Sequence, residues 1–178
     1  MNPTILLVPG LSNSGPQHWQ SLWAAFYQYP RVEQQEWDHP RCADWVQGLH
    51  EAILRAEAPV VLVAHSLGCS TVGHWAQQHP TQAVVGALLV APADTDRADF
   101  PVEAMGFAPM PQQRLPFASQ VVASTNDEYV SLARAQAFAA AWGSAFVNVG
   151  ALGHLNAASN LGSWPAGYVL LQQLLKRI

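Results

Sequence analysis

The amino-acid sequence predicts an α/β protein, a three-layer α/β/α sandwich built on a mainly parallel, six-stranded sheet. Six short β-rich or apolar runs recur, at 4–8, 31–37, 59–64, 84–91, 119–124 and 144–149, and between most of them the apolar spacing switches to the helical period. Most of these runs are apolar throughout, as in Ile5-Leu6-Leu7-Val8, the pattern of strands covered on both faces and hence of a parallel sheet. The 178 residues are 50% hydrophobic and only 11% charged. An average soluble domain carries about 25% charge, so this chain can bury a core and disorder is excluded. At roughly 150 residues per domain, one domain spanning 1–178 is expected.

The first strand run, 4–8, leads into a glycine-containing loop. Pro16 follows, a residue tolerated in a first helical turn because its missing N–H has no partner there. Behind it Trp19, Leu22, Trp23 and Phe26 fall at i, i+3, i+4 and i+7 and define one apolar helix face. After the second run, Asp44 with Gln47 three residues later has the form of a capping box, and Trp45, Leu49, Ala52, Ile53 and Ala56 continue one face. The third run precedes helix-compatible Cys69 through Gln78. Leu132, Ala135, Phe138, Ala139 and Trp142 make another face that stops at Gly143, where a left-handed residue costs least. Pro165 opens a last helix with Tyr168, Leu171, Leu174, Leu175 and Ile178 inward. Only 92–117 breaks the rhythm: five of the thirteen prolines lie there, so a long, partly ordered loop is expected. Loops of that length are often functional, which makes it a candidate lining for a substrate site, with a plain surface excursion as the alternative.

Charge and composition exclude several partners. The formal net charge is −4, and the eight basic residues are scattered until Lys176-Arg177, leaving no stripe to track a phosphate backbone. No apolar run approaches the roughly 18 residues of a membrane span. The N-terminal stretch lacks a basic region and is broken by Pro9-Gly10, unlike a signal peptide, so a cytoplasmic location is expected. Cys42 and Cys69 form neither a disulfide framework nor a zinc-type spacing and read as small buried residues.

The chemistry concentrates at Val60-Val61-Leu62-Val63-Ala64-His65-Ser66-Leu67-Gly68, a strand ending in a small-x-Ser-x-Gly turn followed by a helix. Such a nucleophile elbow needs small flanking residues because the turn is tight, and it lifts the serine hydroxyl above the sheet edge at a helix N-terminus. Ala64 stands where glycine is usual. The competing role for Ser66 is a simple helix N-cap.

A serine hydroxyl is a weak nucleophile at neutral pH and needs a base, which in turn needs an orienting carboxylate. The fifth run leads into Thr125-Asn126-Asp127-Glu128, making Asp127 the candidate acid, with adjacent Glu128 and Asp94, past the fourth run, as alternatives. The sixth run leads to Gly150-Ala151-Leu152-Gly153-His154, making His154 the candidate base. The order Ser66, Asp127, His154 is that of α/β-hydrolases. His18, His50, His74 and His79 lie on helical stretches, His39 stands beside Pro40, and His65 fills the variable elbow position, so structural roles are expected for all six. A lining of the pocket behind the oxyanion loop is the alternative for His18, Trp19 and Trp23, the tryptophans being favoured as core. Donors for a developing oxyanion are expected from the Leu67 N–H and, in the loop Pro9 to Gly15, from the Leu11 N–H. That loop lacks the Gly-Lys-Ser/Thr ending and the G-x-G-x-x-G spacing of nucleotide sites. Cys69 is a weaker nucleophile candidate, since three residues past the serine it points along the helix.

Nearly the full length resembles the small serine hydrolases related to retinoblastoma-binding protein nine, a compact branch of the α/β-hydrolase superfamily. The resemblance rests on Val8-Pro9-Gly10 with His18-Trp19 and Trp23, on the Ser66 elbow, on Ser124 to Tyr129, and on Gly153-His154-Leu155-Asn156 running to Gly162-Ser163-Trp164-Pro165. It implies that Ser66, Asp127 and His154 match the family triad, with Glu128 where relatives often carry proline. It further implies a minimal α/β-hydrolase fold without a cap domain, with strand order 2-1-3-4-5-6. Ligand would bind where the loops after the first and third strands meet, covered only by 92–117. The expected activity is hydrolysis of small neutral or apolar acyl esters or amides, without metal or cofactor. The alternative is a catalytically weak scaffold serving as a protein-interaction module, since family relatives have been linked to protein partners.

Overall fold

Apolar alternation along the strands gives the sheet two oily faces, and each face collects its own helices. The computed structural model describes residues 2–56 and 59–178. In chain order it contains β1 (Thr4–Val8), α1 (Trp19–Tyr27), α2 (Cys42–Arg55), β2 (Val60–His65), α3 (Leu67–Gln78), β3 (Val84–Val90), β4 (Ala118–Ala123), α4 (Leu132–Trp142), β5 (Ala145–Asn148), a 3₁₀ turn (Ala157–Ser159) and α5 (Pro165–Leu175). Leu6, Val8, Leu62, Ala64, Leu89 and Val121 pack with α2, α3 and α4 on one side. Ile5, Leu7, Val61, Val63, Leu88 and Val122 pack with α1 and α5 on the other. No helix among the described residues is long and apolar enough to cross a membrane.

Among the described residues the sheet has five strands rather than six, all parallel, in the order β1-β2-β3-β4-β5. The predicted strand at 31–37 shrinks to a single bridge between Arg31 and Leu7 on the free edge of β1. There the Leu7 N–H donates to the Pro30 carbonyl at 2.9 Å and the Val32 N–H donates to the Leu7 carbonyl at 2.8 Å. Beyond buried Val32 the run turns polar, and the Glu36 carboxylate accepts the Asp38 N–H at 2.9 Å, folding the chain into a turn before a ladder can form. The implied order 2-1-3-4-5-6 therefore reduces to five strands, with Arg31 marking the place of the missing one.

Two helix expectations also need correction. In α1 the buried residues are Trp19, Gln20 and Trp23, whereas Phe26 is 79% exposed. The helix is rotated toward Gln20 because that amide has buried acceptors at the strand ends. In α2 the N-cap is Arg41, three residues upstream of the predicted cap Asp44, and the Met105 carbonyl accepts the Cys42 N–H at 2.9 Å. Asp44 thus lies inside the first turn, where its charge suits the helix dipole, and Gln47 bonds to Glu51 instead of closing a capping box.

The segment 92–117 has no regular secondary structure but is firmly pinned. Phe107 and Met110 are buried, the Thr95 hydroxyl donates to the Phe107 carbonyl at 3.0 Å, and Trp142 Nε1 donates to the Pro111 carbonyl at 2.8 Å.

Candidate active site

Adjacent parallel strands bring two loops together at the carboxyl ends of β1 and β2. Ser66 sits between β2 and α3 with φ 55° and ψ −123°, a left-handed conformation that costs a non-glycine residue about 1–3 kcal/mol. The surroundings enforce it. The Ser66 N–H donates to the Val90 carbonyl at the end of β3, 3.0 Å away. A Cβ on Gly68 would come within 2.5 Å of the Val8 carbonyl oxygen, and one on Gly10 within 2.8 Å of the Ser66 Cβ, so only glycine lets the two loops close on each other. Ala64 is fully buried and accommodated. The Ser66 hydroxyl makes no helix cap.

It donates instead to His154 Nε2, 2.8 Å away. His154 lies beyond β5, and its loop is stitched to the loop after β4. Ser124 Oγ accepts the Leu152 N–H at 2.9 Å, and Asn126 Oδ1 accepts the Gly153 N–H at 2.8 Å. The stitching delivers Asp127 to the imidazole, whose Nδ1–H donates to the two carboxylate oxygens at 2.9 and 2.8 Å. A carboxylate only accepts, so it fixes the tautomer in which Nε2 is free to take a proton. The Asp127 side chain is fully buried and that of His154 is 6% exposed. Asp127 Oδ1 also accepts the Tyr129 N–H at 2.8 Å.

The structure thus brings Ser66, Asp127 and His154 into one hydrogen-bonded line. The alternative acids stand elsewhere. Asp94 is held by Arg134 from α4, through Nε at 2.7 Å and Nη2 at 2.8 Å. Burial pushes its carboxyl up, but the Arg134 and Asp96 hydrogen bonds and the Arg134 and Arg97 charges outweigh it and hold the group below the usual carboxylate value. The Glu128 side chain is exposed, and its backbone carbonyl accepts from Arg97. Cys69 is buried in α3 with its thiol on the Val90 carbonyl, and burial pushes its pKa up, which suppresses the reactive thiolate.

Leu11 and Leu67 both line the cavity above Ser66. Leu67 opens α3, so its N–H has no acceptor within the helix. The Leu11 N–H makes no backbone hydrogen bond among the described residues. The cavity measures about 440 Å³; Ser66 and His154 lie in it beside Ala93, Phe100 and Pro101 from the start of the long loop.

Of four polar residues behind this surface, three escape a sequence reading, and the fourth, His18, takes the pocket-lining place that is its alternative. Gln20 is fully buried; its Nε2 donates to the Val8 carbonyl at 3.3 Å and the Val63 carbonyl at 3.0 Å, and its Oε1 accepts the Ser14 hydroxyl at 2.7 Å. Arg31 donates to Asn13 Oδ1 and, at 2.6 Å, to Ser21 Oγ, bracing the glycine-containing loop from outside. His65 Nε2–H donates to the His154 carbonyl at 2.9 Å. Burial, with nearby His154 and His18, pushes its pKa well below the usual histidine value, so it remains neutral. His18 caps α1 and also lines the cavity. A histidine directly behind a glycine-containing loop, and a glutamine between two core tryptophans, are the available signals.

A family model described as serine hydrolase matches residues 5–173. The chain belongs to this family. A YdeN-like hydrolase from Pectobacterium atrosepticum is 34% identical, superposes with a TM-score of 0.86, and is matched over 98% of this chain and 91% of its own. The ydeN gene product of B. subtilis shares 20% identity at a TM-score of 0.80, over 98% of this chain and 99% of that one. Mouse alpha/beta hydrolase domain-containing protein 10 shares 14% identity at a TM-score of 0.73, over 99% and 91%. The last two show the fold alone: this serine hydrolase has the parallel-sheet architecture of the α/β-hydrolase superfamily. No curated protein matches the sequence.

Proposed function

We propose that this serine hydrolase cleaves small, neutral or apolar acyl esters or amides through an acyl-enzyme on Ser66, as a carboxylesterase or an aminopeptidase-like amidase. The observation that supports this reading is the unbroken line from Asp127 through His154 to the Ser66 hydroxyl, ending in an open cavity. As Ser66 Oγ attacks the acyl carbon, its proton passes to His154 Nε2. Asp127 stabilises the imidazolium without itself taking the proton. The carbonyl oxygen, now anionic, turns toward the Leu11 and Leu67 N–H groups, each donor of this kind being worth about 10²–10³ in rate. His154 then protonates the departing alcohol or amine, and water, deprotonated by the same nitrogen, releases the acid and restores Ser66.

Neutral substrates fit because the charged groups at the cavity are paired. Arg97 donates from Nε to Asp99 at 2.8 Å, and Asp94 is bound by Arg134. A fluorophosphonate probe tests the reading: the wild type is expected to label and Ser66→Ala to remain unlabelled. An unlabelled wild type would overturn it in favour of a non-catalytic scaffold. Turnover across a series of acyl chain lengths and aminoacyl amides then separates esterase from amidase.

A further inference from the structure

We propose that His18 is a substrate-recognition residue whose Nε2–H donates to a neutral acceptor oxygen carried by the substrate beside its scissile bond. The proposal rests on the hydrolase reading of the same cavity and sharpens its substrate class to esters and amides bearing a second acceptor, such as alkoxyacyl or oxoacyl groups, over plain alkanoyl ones.

The geometry assigns this role stepwise. His18 follows the glycine-containing loop and is 4% exposed, its ring set 4.7 Å from that of His65 and 5.3 Å from that of Trp19. Its Nδ1 accepts the Gln20 N–H at 3.1 Å, which places the imidazole proton on Nε2. That Nε2 is buried and has no hydrogen-bond partner among the described residues, although His18 lines the cavity that holds Ser66 and His154. Native structures rarely leave a buried donor unpaired, so an unpaired Nε2–H on a residue that lines a binding cavity calls for a partner that the chain itself does not supply. Burial, with the Arg31 and His154 charges, lowers its pKa to about 4, so at neutral pH the ring is an uncharged, single-proton donor suited to an ether or carbonyl oxygen rather than a carboxylate. In the loop beside His18, Asn13 Oδ1 is already occupied by Arg31 and the Ser14 N–H.

Two isosteric pairs test it, each exchanging one methylene for an ether oxygen: p-nitrophenyl methoxyacetate against butyrate on the acyl side, and 2-methoxyethyl butyrate against n-butyl butyrate on the alcohol side. His18→Asn keeps a helix-capping acceptor but is too short to present the donor, and His18→Phe keeps the ring without it. In at least one pair, both variants should lose about tenfold more kcat/KM on the ether than on the alkyl compound. Equal losses in both pairs overturn the proposal while leaving the hydrolase reading intact. Titration of the same four compounds into Ser66→Ala and Ser66→Ala/His18→Asn reads binding without turnover. A preference for the ether that disappears with His18 supports the proposal even if the wild type proves inert, and absence of that preference, or of any binding, counts against it. Thermal melts of each variant confirm that the folded protein is being compared.

Discussion

Two carboxylates stand at neighbouring strand ends and are presented in the same way. Asp94 lies four residues past Val90, the last residue of β3, and Asp127 four past Ala123, the last of β4. Each side chain is buried, 7% and 0% exposed, and each Oδ1 accepts the backbone N–H two residues further on, from Asp96 and Tyr129. Only the partner differs. Asp94 meets the Arg134 guanidinium and Asp127 meets the His154 imidazole. A guanidinium keeps its protons at every physiological pH and can only anchor, whereas an imidazole passes one on. The strand end supplies a carboxylate held rigid by a tight turn. What faces it decides whether the pair binds two elements together or orients a base.

The sharpest way to break the comparison is to remove the imidazole. His154→Ala should lower kcat by about 10⁶-fold, as should Ser66→Ala, because the members of such a line act as one unit. Asp127→Asn, which keeps the shape but favours the wrong tautomer, should lower kcat by about 10⁴-fold. Steady-state kinetics on an activated ester measures all three. Retained turnover in Asp127→Asn would move the orienting role to a different carboxylate.

The matching change at the other strand end should be a stability mutation. Asp94→Asn leaves Arg134 without its bidentate partner. Because that guanidinium is 40% exposed, the loss should be about 2 kcal/mol by denaturant titration, below the 3–5 typical of a fully buried pair, with kcat staying within about tenfold. The acid response follows from the lowered carboxyl of Asp94. Unfolded chain takes up the proton first, near pH 4. The pair's contribution is therefore complete above about pH 4 and is lost as pH falls toward the lower folded value. Melting temperature plotted against pH should have a shallower acid limb in Asp94→Asn than in the wild type. Superimposable limbs would mean that Asp94 titrates normally.

The parts of this design legible in the sequence are those written in local order. Strand and helix periods mark β1, β2, β3 and the Gly143 end of α4, and the elbow at Ser66 is visible because its small flanking residues are contiguous. Asp127 and His154 are found because they follow strand ends. Side chains whose role depends on distant partners are not legible in this way. The run at 31–37 is β-rich at its start, but nothing local reveals that Glu36 turns the chain. Gln20 reads as a polar interruption of an aromatic stripe until the Val8 and Val63 carbonyls are brought to it from two strands. His65 is indistinguishable from a structural histidine, and His18 nearly so, until the fold sets the His65 ring against those of both His18 and His154. Asp94 and Asp127 look alike in sequence for the same reason: their partners lie 40 and 27 positions away.

The smallest expected effect sharpens the comparison most finely. Glu128 is the neighbour of Asp127 and occupies the same loop, so proximity in sequence and net charge are nearly identical for the two. The Asp127 side chain is enclosed against His154, whereas Glu128 is exposed and contributes only its backbone carbonyl, to Arg97. A solvated carboxylate interacts weakly through water-screened distances. Glu128→Gln, which removes the charge and preserves the backbone contact, should therefore change kcat by less than about twofold at physiological ionic strength. A larger effect that shrinks on adding salt would mean that the acid's contribution is a diffuse field over the loop. An effect below twofold at all ionic strengths means that it is a contact, made by one residue whose turn aims it at the imidazole.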